Sequence, residues 1–327
     1  MIACAFEVYG VVVNRQRVVR AVLPSAVVAG LVVAGGAVVV VTTGGDATAT
    51  ATGRRISATE AAATTSYWTP ARMKAAIPLG VTASAAPSRS AARVATAPSG
   101  WKTGTYFHGL PSLGALFLHN GTGDHYCTAS VIDSSKKNLL ITAAHCIHGG
   151  KGSGYATNVA FVPKYDAKTM PYGMWTAKLL IVPSGWRRST DPDLDFGFIA
   201  ISPRPSDGKQ IAQVVGNNTL VKDKGFTNSV YVDGYPDIRY ETADHPIYCR
   251  NTTKKQSTYQ MRFDCDGYTN GTSGSPWLMN YKPATRVGQV VGVLGGYQKG
   301  GSVNWISYAA YFDKDVWNLR AAANQQA

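Results

Sequence analysis

Charge is scarce in this chain. Only 16% of its 327 residues are charged, and Asp and Glu number 19 against 32 Lys and Arg. The resulting net charge of +13 is spread along the sequence, with nothing denser than pairs such as Lys136-Lys137, Arg187-Arg188 and Lys254-Lys255. Nucleic-acid recognition uses a clustered basic face, so no nucleic-acid partner is expected and the pairs read as solvated surface. Long apolar runs are also scarce: the single run over residues 21–41 is too little for a polytopic membrane protein. Neither a C-x-x-C pair nor an H-E-x-x-H segment occurs, so no zinc site is expected; no compact acidic loop stands out for calcium, no other metal ligand is singled out, and no cofactor is expected. Strands and helices do not alternate in a βαβ rhythm, which argues against a parallel sheet. What the chain does have is a 45% hydrophobic fraction, too high for a disordered protein. Its 34 Gly and 17 Tyr suit many strands and tight turns.

The one apolar run follows Arg15, Arg17 and Arg20 and precedes an Ala/Thr tract at residues 47–51 where an A-x-A cleavage site fits. This is the order of a secretory signal, so residues 1–51 are expected to be a signal peptide. Residues 1–14 are long for its basic region and suggest an over-extended start. A retained anchor is the alternative, with the body on the outer face in either case. The expected location is therefore secreted, or else the cell surface. Residues 52–100, rich in Ala, Thr, Ser and Pro, read as a largely unstructured pro-segment or linker, with residues 67–73 as its one compact island.

From residue 101 the pattern changes to short runs rich in β-branched and aromatic residues, each bounded by Gly, Pro, Asn or Asp. Six fall at residues 113–118, 126–132, 139–143, 159–163, 175–182 and 196–201. Six more fall at 229–235, 247–250, 259–265, 275–279, 289–294 and 305–312. A Pro/Gly/Ser/Asp-rich joint at 203–208 divides them into two similar units, about 112–203 and 209–312. Residues 314–323 read as a terminal helix. Cys4 precedes the apolar run, leaving Cys127, Cys146, Cys249 and Cys265 in the exported body, where disulfides are expected. Of the three possible pairings, Cys127–Cys146 with Cys249–Cys265 is favoured because each pair flanks adjacent strands of a hairpin.

Three segments carry chemistry. Leu140-Ile141-Thr142-Ala143-Ala144-His145-Cys146 is an apolar strand ending in a histidine beside a cysteine. Asp195 opens the apolar strand Phe196-Gly197-Phe198-Ile199. Gly271-Thr272-Ser273-Gly274-Ser275-Pro276 is a glycine-flanked serine turn before another strand. A serine hydroxyl becomes a nucleophile when a base removes its proton. Imidazole is the natural base near neutral pH, and a buried carboxylate holds its tautomer. Glycines beside the serine let backbone N–H groups face a developing oxyanion. Chain order supports the set. An α/β-hydrolase needs its histidine after the serine, and the last histidine here is His245. Asp191 and Asp193 lie near Asp195, with Asp193 the fallback for the acid.

These motifs, T-A-A-H-C, D-F-G-F-I and G-T-S-G-S-P in that order, resemble the signature segments of chymotrypsin-like serine endopeptidases. The closest branch is the secreted bacterial one that includes glutamyl endopeptidases. The resemblance covers about residues 113–312. It implies an all-β fold of two six-stranded antiparallel barrels with the site in the cleft between them. It implies His145 as base, Asp195 as orienting acid, Ser273 as nucleophile, and the N–H groups of Gly271 and Ser273 as oxyanion hole. Protein or peptide substrates are implied, and a monomer, made as a zymogen. A catalytically idle binding module on the same fold is the alternative.

The sequence also departs from the family. Thr272 stands where the trypsin branch has an Asp that receives the freed N-terminal amine. Gly267 stands at the offset of the trypsin pocket acid, with Asp266 one residue earlier, and Leu294 replaces the pocket histidine of the glutamyl branch. With Gly295 and Gly296 beside it, the pocket is expected to be open and its preference neutral or broad.

Overall fold

The computed structural model describes residues 51–80, 97–239 and 242–327. The expected signal segment lies outside these residues apart from its last position. Among the described residues, no helix is long and apolar enough to cross a membrane.

Residues 54–78 correct one expectation, for this part of the pro-region is folded. It forms β1 (Arg54–Arg55), α1 (Ala58–Tyr67), α2 (Pro70–Ala75) and β2 (Ile77–Pro78). The helices rest on their caps rather than on an apolar stripe. Ser57 and Glu60 form a capping box on α1, and Thr69 caps α2 ahead of Pro70. Between them Trp68 is buried, its indole N–H donating to the Asn158 carbonyl at 2.5 Å and its ring 5.3 Å from that of Phe117. β1 pairs antiparallel with residues 179–180 and β2 pairs parallel with residues 125–126. Composition alone hides such a segment, because its order comes from docking.

After the short strand β3 (Thr105–Tyr106) come the strands of the first barrel: β4 (Leu113–Asn120), β5 (Gly123–Ile132), β6 (Leu139–Thr142), β7 (Thr157–Pro163), β8 (Trp175–Ile181) and β9 (Gly197–Ile201). They run antiparallel in the order β8-β7-β4-β5-β6-β9, and β9 pairs back to β8, closing the ring. Side chains alternate with period two. Leu140, Ile199 and Ile201 point into the barrel with Leu116, Val131 and Phe161, while Ile141, Phe198 and Ala200 join a second core shared with the other half of the protein. Two helices interrupt this barrel, α3 (Ala144–Ile147) and α4 (Ser184–Ser189).

Past α5 (Ile211–Val215), the second half is assembled from two sheets. β10 (Thr219–Leu220), β11 (Ser229–Gly234), β12 (Ile247–Thr252), β15 (Pro276–Lys282) and β16 (Val287–Val293) form one sheet, to which β3 adds an edge strand. Between them in sequence, β13 (Lys254–Ser257) and β14 (Gln260–Asp264) pair with β17 (Ile306–Ala310) as a smaller sheet. The two wrap a common core containing Val232, Phe263, Trp277 and Ala309. Each of the twelve expected strands is present, and the architecture is that of two antiparallel β-barrels. The terminal helix α6 (Lys314–Gln326) runs three residues past its expected end; Val316, Leu319 and Ala323 join the shared core, and Gln326 bonds Gly53 and Ala51. The disulfides are Cys127–Cys146 and Cys249–Cys265, the favoured pairing.

Candidate active site

His145 is placed by the abrupt end of β6. The apolar run 139–141 stops at Thr142, whose hydroxyl donates to the Thr128 carbonyl at 2.8 Å, and the chain turns into the single-turn helix α3. The adjacent Cys146 is tied to Cys127 on β5, so the helix cannot drift from the barrel wall. The His145 side chain is 7% exposed and Asp195 is fully buried.

Asp195 follows a 3-10 turn at Pro192–Leu194, whose first residues are held by the Asp191 carboxylate accepting the Asp193 N–H. A buried carboxylate without partners is costly. Three N–H groups meet this one. His145 Nδ1 donates to Oδ2 at 2.8 Å, the His145 backbone N–H donates to Oδ1 at 2.9 Å, and the Gly296 N–H donates to Oδ2 at 2.8 Å. The ring is thereby fixed with Nδ1 as donor, leaving Nε2 as the basic nitrogen. Gly295 must be small for this to work. A Cβ there would lie 3.0 Å from Asp195 Oδ2 and 3.2 Å from the Ala143 Cβ.

Ser273 lies in the turn before β15. Its carbonyl accepts the Thr128 N–H at 2.7 Å, and the Thr128 hydroxyl donates to the Gly271 carbonyl at 3.1 Å. Strand β5 therefore holds both the serine turn, through Thr128, and the helix carrying His145, through Cys127. Gly274 has φ +85°, and a Cβ on it would sit 2.2 Å from Thr142 Oγ1 and 3.2 Å from the Ala143 nitrogen. This close approach brings the turn against the segment that leads into His145. The Thr272 and Gly274 N–H groups donate to the carbonyls of Thr269 and Leu294. Among the described residues, the Gly271 and Ser273 N–H groups, which alternate with these, have no acceptor. Nor does a hydrogen bond join His145 to Ser273 among these residues. Such contacts are often long or misaligned before substrate binds.

A cavity of about 160 Å³ opens beside Ser273, walled by Tyr268, Asn270, Leu294, Lys299 and Arg239 among others. Among the described residues, its lining includes two cations and no carboxylate. Leu294 thus faces the cavity. Gly295 and Gly296 back onto Asp195, and Gly267 packs toward Ile247. Asp266 accepts the Gly267 N–H at 2.9 Å and is not part of the cavity wall. Sequence reasoning overlooked Thr128, the Gly296 N–H and Lys299. The one available signal was a threonine directly after a cysteine in an apolar strand. Cys127, Cys146 and His145 come within ligand distance of one another, but both sulfurs are consumed by the disulfide.

Residues 127–293 match the family model of the trypsin-like peptidase domain. The chain belongs to the trypsin-like peptidase family. Among solved structures, protease Anisep from Arthrobacter nicotinovorans is similar, with 25% identity and a TM-score of 0.60 over 68% of this chain and 99% of that one. The thermostable serine protease AL20 from an extremophilic microorganism shares the fold at 23% identity and a TM-score of 0.60, over 66% of this chain and 98% of its own. Among curated proteins, the extracellular metalloprotease of Bacillus subtilis strain 168 is 25% identical over 181 residues, 54% of this chain and 53% of that protein. This chain spans about half the length of that curated relative.

Proposed function

We propose that this trypsin-like peptidase is an exported serine endopeptidase that cleaves peptide bonds through an acyl-enzyme. The observation that carries the reading is the buried Asp195–His145 hydrogen bond beside a serine turn whose Gly271 and Ser273 N–H groups have no acceptor among the described residues. The roles are those of the serine-protease triad, taken over residue by residue. Ser273 Oγ attacks the scissile carbonyl carbon as its proton passes to His145 Nε2. The imidazolium so formed is stabilised by the Asp195 carboxylate. The Gly271 and Ser273 N–H groups bind the oxyanion, each such donor being worth roughly 2.7–4 kcal/mol in a comparable site. His145 then returns the proton to the leaving amine, and water, deprotonated by the same imidazole, releases the acid.

Export fits the two disulfides and the extracellular relative. Thr272 stands in place of the Asp by which trypsins lock their active form, so any maturation would follow another route. A cavity lined by no carboxylate among the described residues gives no support to a preference for Lys or Arg, and a neutral or broad preference remains the reading. The idle-module alternative draws no support from the family or from the site.

The test is labelling by a fluorophosphonate probe. The wild-type chain is expected to be labelled, and Ser273→Ala is expected to fold but to lose all labelling and all turnover of casein. Labelling that persists in the folded variant overturns the assignment. A peptide-library profile of the wild-type protein is expected to show no enrichment of Lys or Arg before the cleaved bond.

A further inference from the structure

Away from the serine turn, a second group of ionisable side chains converges. His108 Nδ1 lies 2.8 Å from Asp166 Oδ2, and His245 Nδ1 lies 2.5 Å from Asp166 Oδ1. The two imidazoles meet edge to face at 5.3 Å. These residues are 58 and 79 positions apart in sequence. His108 sits in the connection from β3 to β4, Asp166 in that from β7 to β8, and His245 just before β12. The group therefore joins both halves of the protein.

We propose that His108, Asp166 and His245 form a binding site for a divalent transition-metal ion of the zinc class. Three observations support it. First, the donor atoms converge: one from each residue, all within 4.8 Å of one another. Zinc holds nitrogen and carboxylate oxygen at about 2.0–2.2 Å, so three ligands on one ion lie within roughly 4 Å of each other. Tetrahedral ligands at that radius lie about 3.3 Å apart, so the Nδ1–Oδ contacts of 2.8 and 2.5 Å need only open slightly to admit the ion, and the His108 side chain, 82% exposed, is free to make that movement. Second, the backbone beneath is already stitched together. The Phe107 N–H donates to the Pro246 carbonyl at 3.0 Å, and the Ala167 N–H donates to the Asp244 carbonyl at 2.9 Å. The Thr169 N–H and hydroxyl both donate to the Asp166 carbonyl, at 2.8 and 2.6 Å. The ligands thus stand on a preformed frame, which lowers the ordering cost of binding. Third, the donor set selects the ion. Two imidazoles and one carboxylate suit zinc and its neighbours, whereas calcium and magnesium take all-oxygen shells.

Both Nδ1 atoms face the same carboxylate, so the ion takes the place of these Nδ1···O contacts, each neutral imidazole carrying its one proton on Nε2. Three protein ligands leave a coordination position for water, as an exposed site requires. The motif search of the sequence could not find this site, because its ligands come from three segments and only the fold brings them together. The inference stands apart from the peptidase reading, since none of its residues takes part in the proposed chemistry.

The experiment is titration of the full exported chain, stripped with chelator, with Co2+ and then Zn2+. One equivalent of Co2+ is expected to bind with the visible absorption of a four- or five-coordinate site and to be displaced by Zn2+. Zinc at a hundredfold excess over its Kd is expected to raise Tm by about 5–10 °C. His108→Ala is expected to weaken binding at least tenfold, and His108→Ala with His245→Ala to abolish both the band and the Tm shift. Absence of saturable binding by the wild-type chain overturns the proposal. So does unchanged affinity in the double variant, which would put the metal elsewhere. Because His108 is exposed, its single variant keeps the test valid even if the double variant fails to fold.

Discussion

Asp195 and Asp233 are both fully buried, one in each half of the protein, and they are treated in opposite ways. Asp195, at the entrance to β9, receives three N–H donors. Asp233, next to last in β11, has neither oxygen hydrogen-bonded among the described residues. Burial drives its carboxyl group well above the ordinary carboxylate range. The first environment holds a carboxyl group in place beside an imidazole; the second disfavours the charged form of an acid whose oxygens have no hydrogen-bond partner among the described residues. Burial alone therefore does not mark a working acid. The donors around it do.

The sharpest way to break this contrast is Asp195→Asn. The amide would still fill the space, but it offers the His145 ring an N–H where an acceptor is needed, favouring the wrong tautomer. By analogy with the same change in a related triad, kcat is expected to fall by about 10⁴, with folding retained. A loss below tenfold in a cleanly folded variant would show that Asp195 is not the orienting acid. Asp193 would be the next to test: its carboxylate instead accepts from Gln260 Nε2 at 2.8 Å.

Asp233 is expected to act through stability. Its folded-state pKa lies above the unfolded one, so the folded protein holds a proton that the unfolded chain releases above about pH 4. Stability from this group is therefore greatest below the unfolded pKa and declines as pH rises toward the folded pKa. Asp233→Asn removes the ionisation at little change in shape. In urea melts of the probe-inactivated protein, the variant is expected to gain on wild type by up to about 1.4 kcal/mol per pH unit over that interval. A difference that stays constant from pH 4.5 to 7.5 would mean that Asp233 ionises freely in the folded protein.

The same distinction explains what could be read in advance. The twelve strands follow from apolar runs between turn residues, and the three chemical segments were legible because each is contiguous. The surroundings of the carboxylates were not. The Gly296 N–H reaches Asp195 from 101 positions away, and nothing near Asp233 in sequence signals an unpartnered acid. Of residues 54–78 only the island at 67–73 stood out, for a related reason: Trp68 docks against Asn158 and Phe117, which belong to another part of the chain. Ser57-x-x-Glu60 and Thr69-Pro70 were the local signals available, and caps stabilise a helix only once something holds it in place.

Asp166 supplies the third environment and the smallest expected effect. It is partly exposed and faces two imidazoles, one of them on the surface. An exposed pair of this kind contributes little, because solvent screens the attraction and ordering the side chains costs entropy. In metal-free buffer, His108→Ala is therefore expected to change stability by less than about 0.5 kcal/mol, measured by urea melts of the probe-inactivated protein. A loss above about 1 kcal/mol would mean that the imidazole contributes to the fold without any ion. A small loss in chelator that grows on adding Zn2+ would separate the two histidine–aspartate sites by physical origin: one held by three donors that offset the cost of burial, the other depending on a ligand that links its segments.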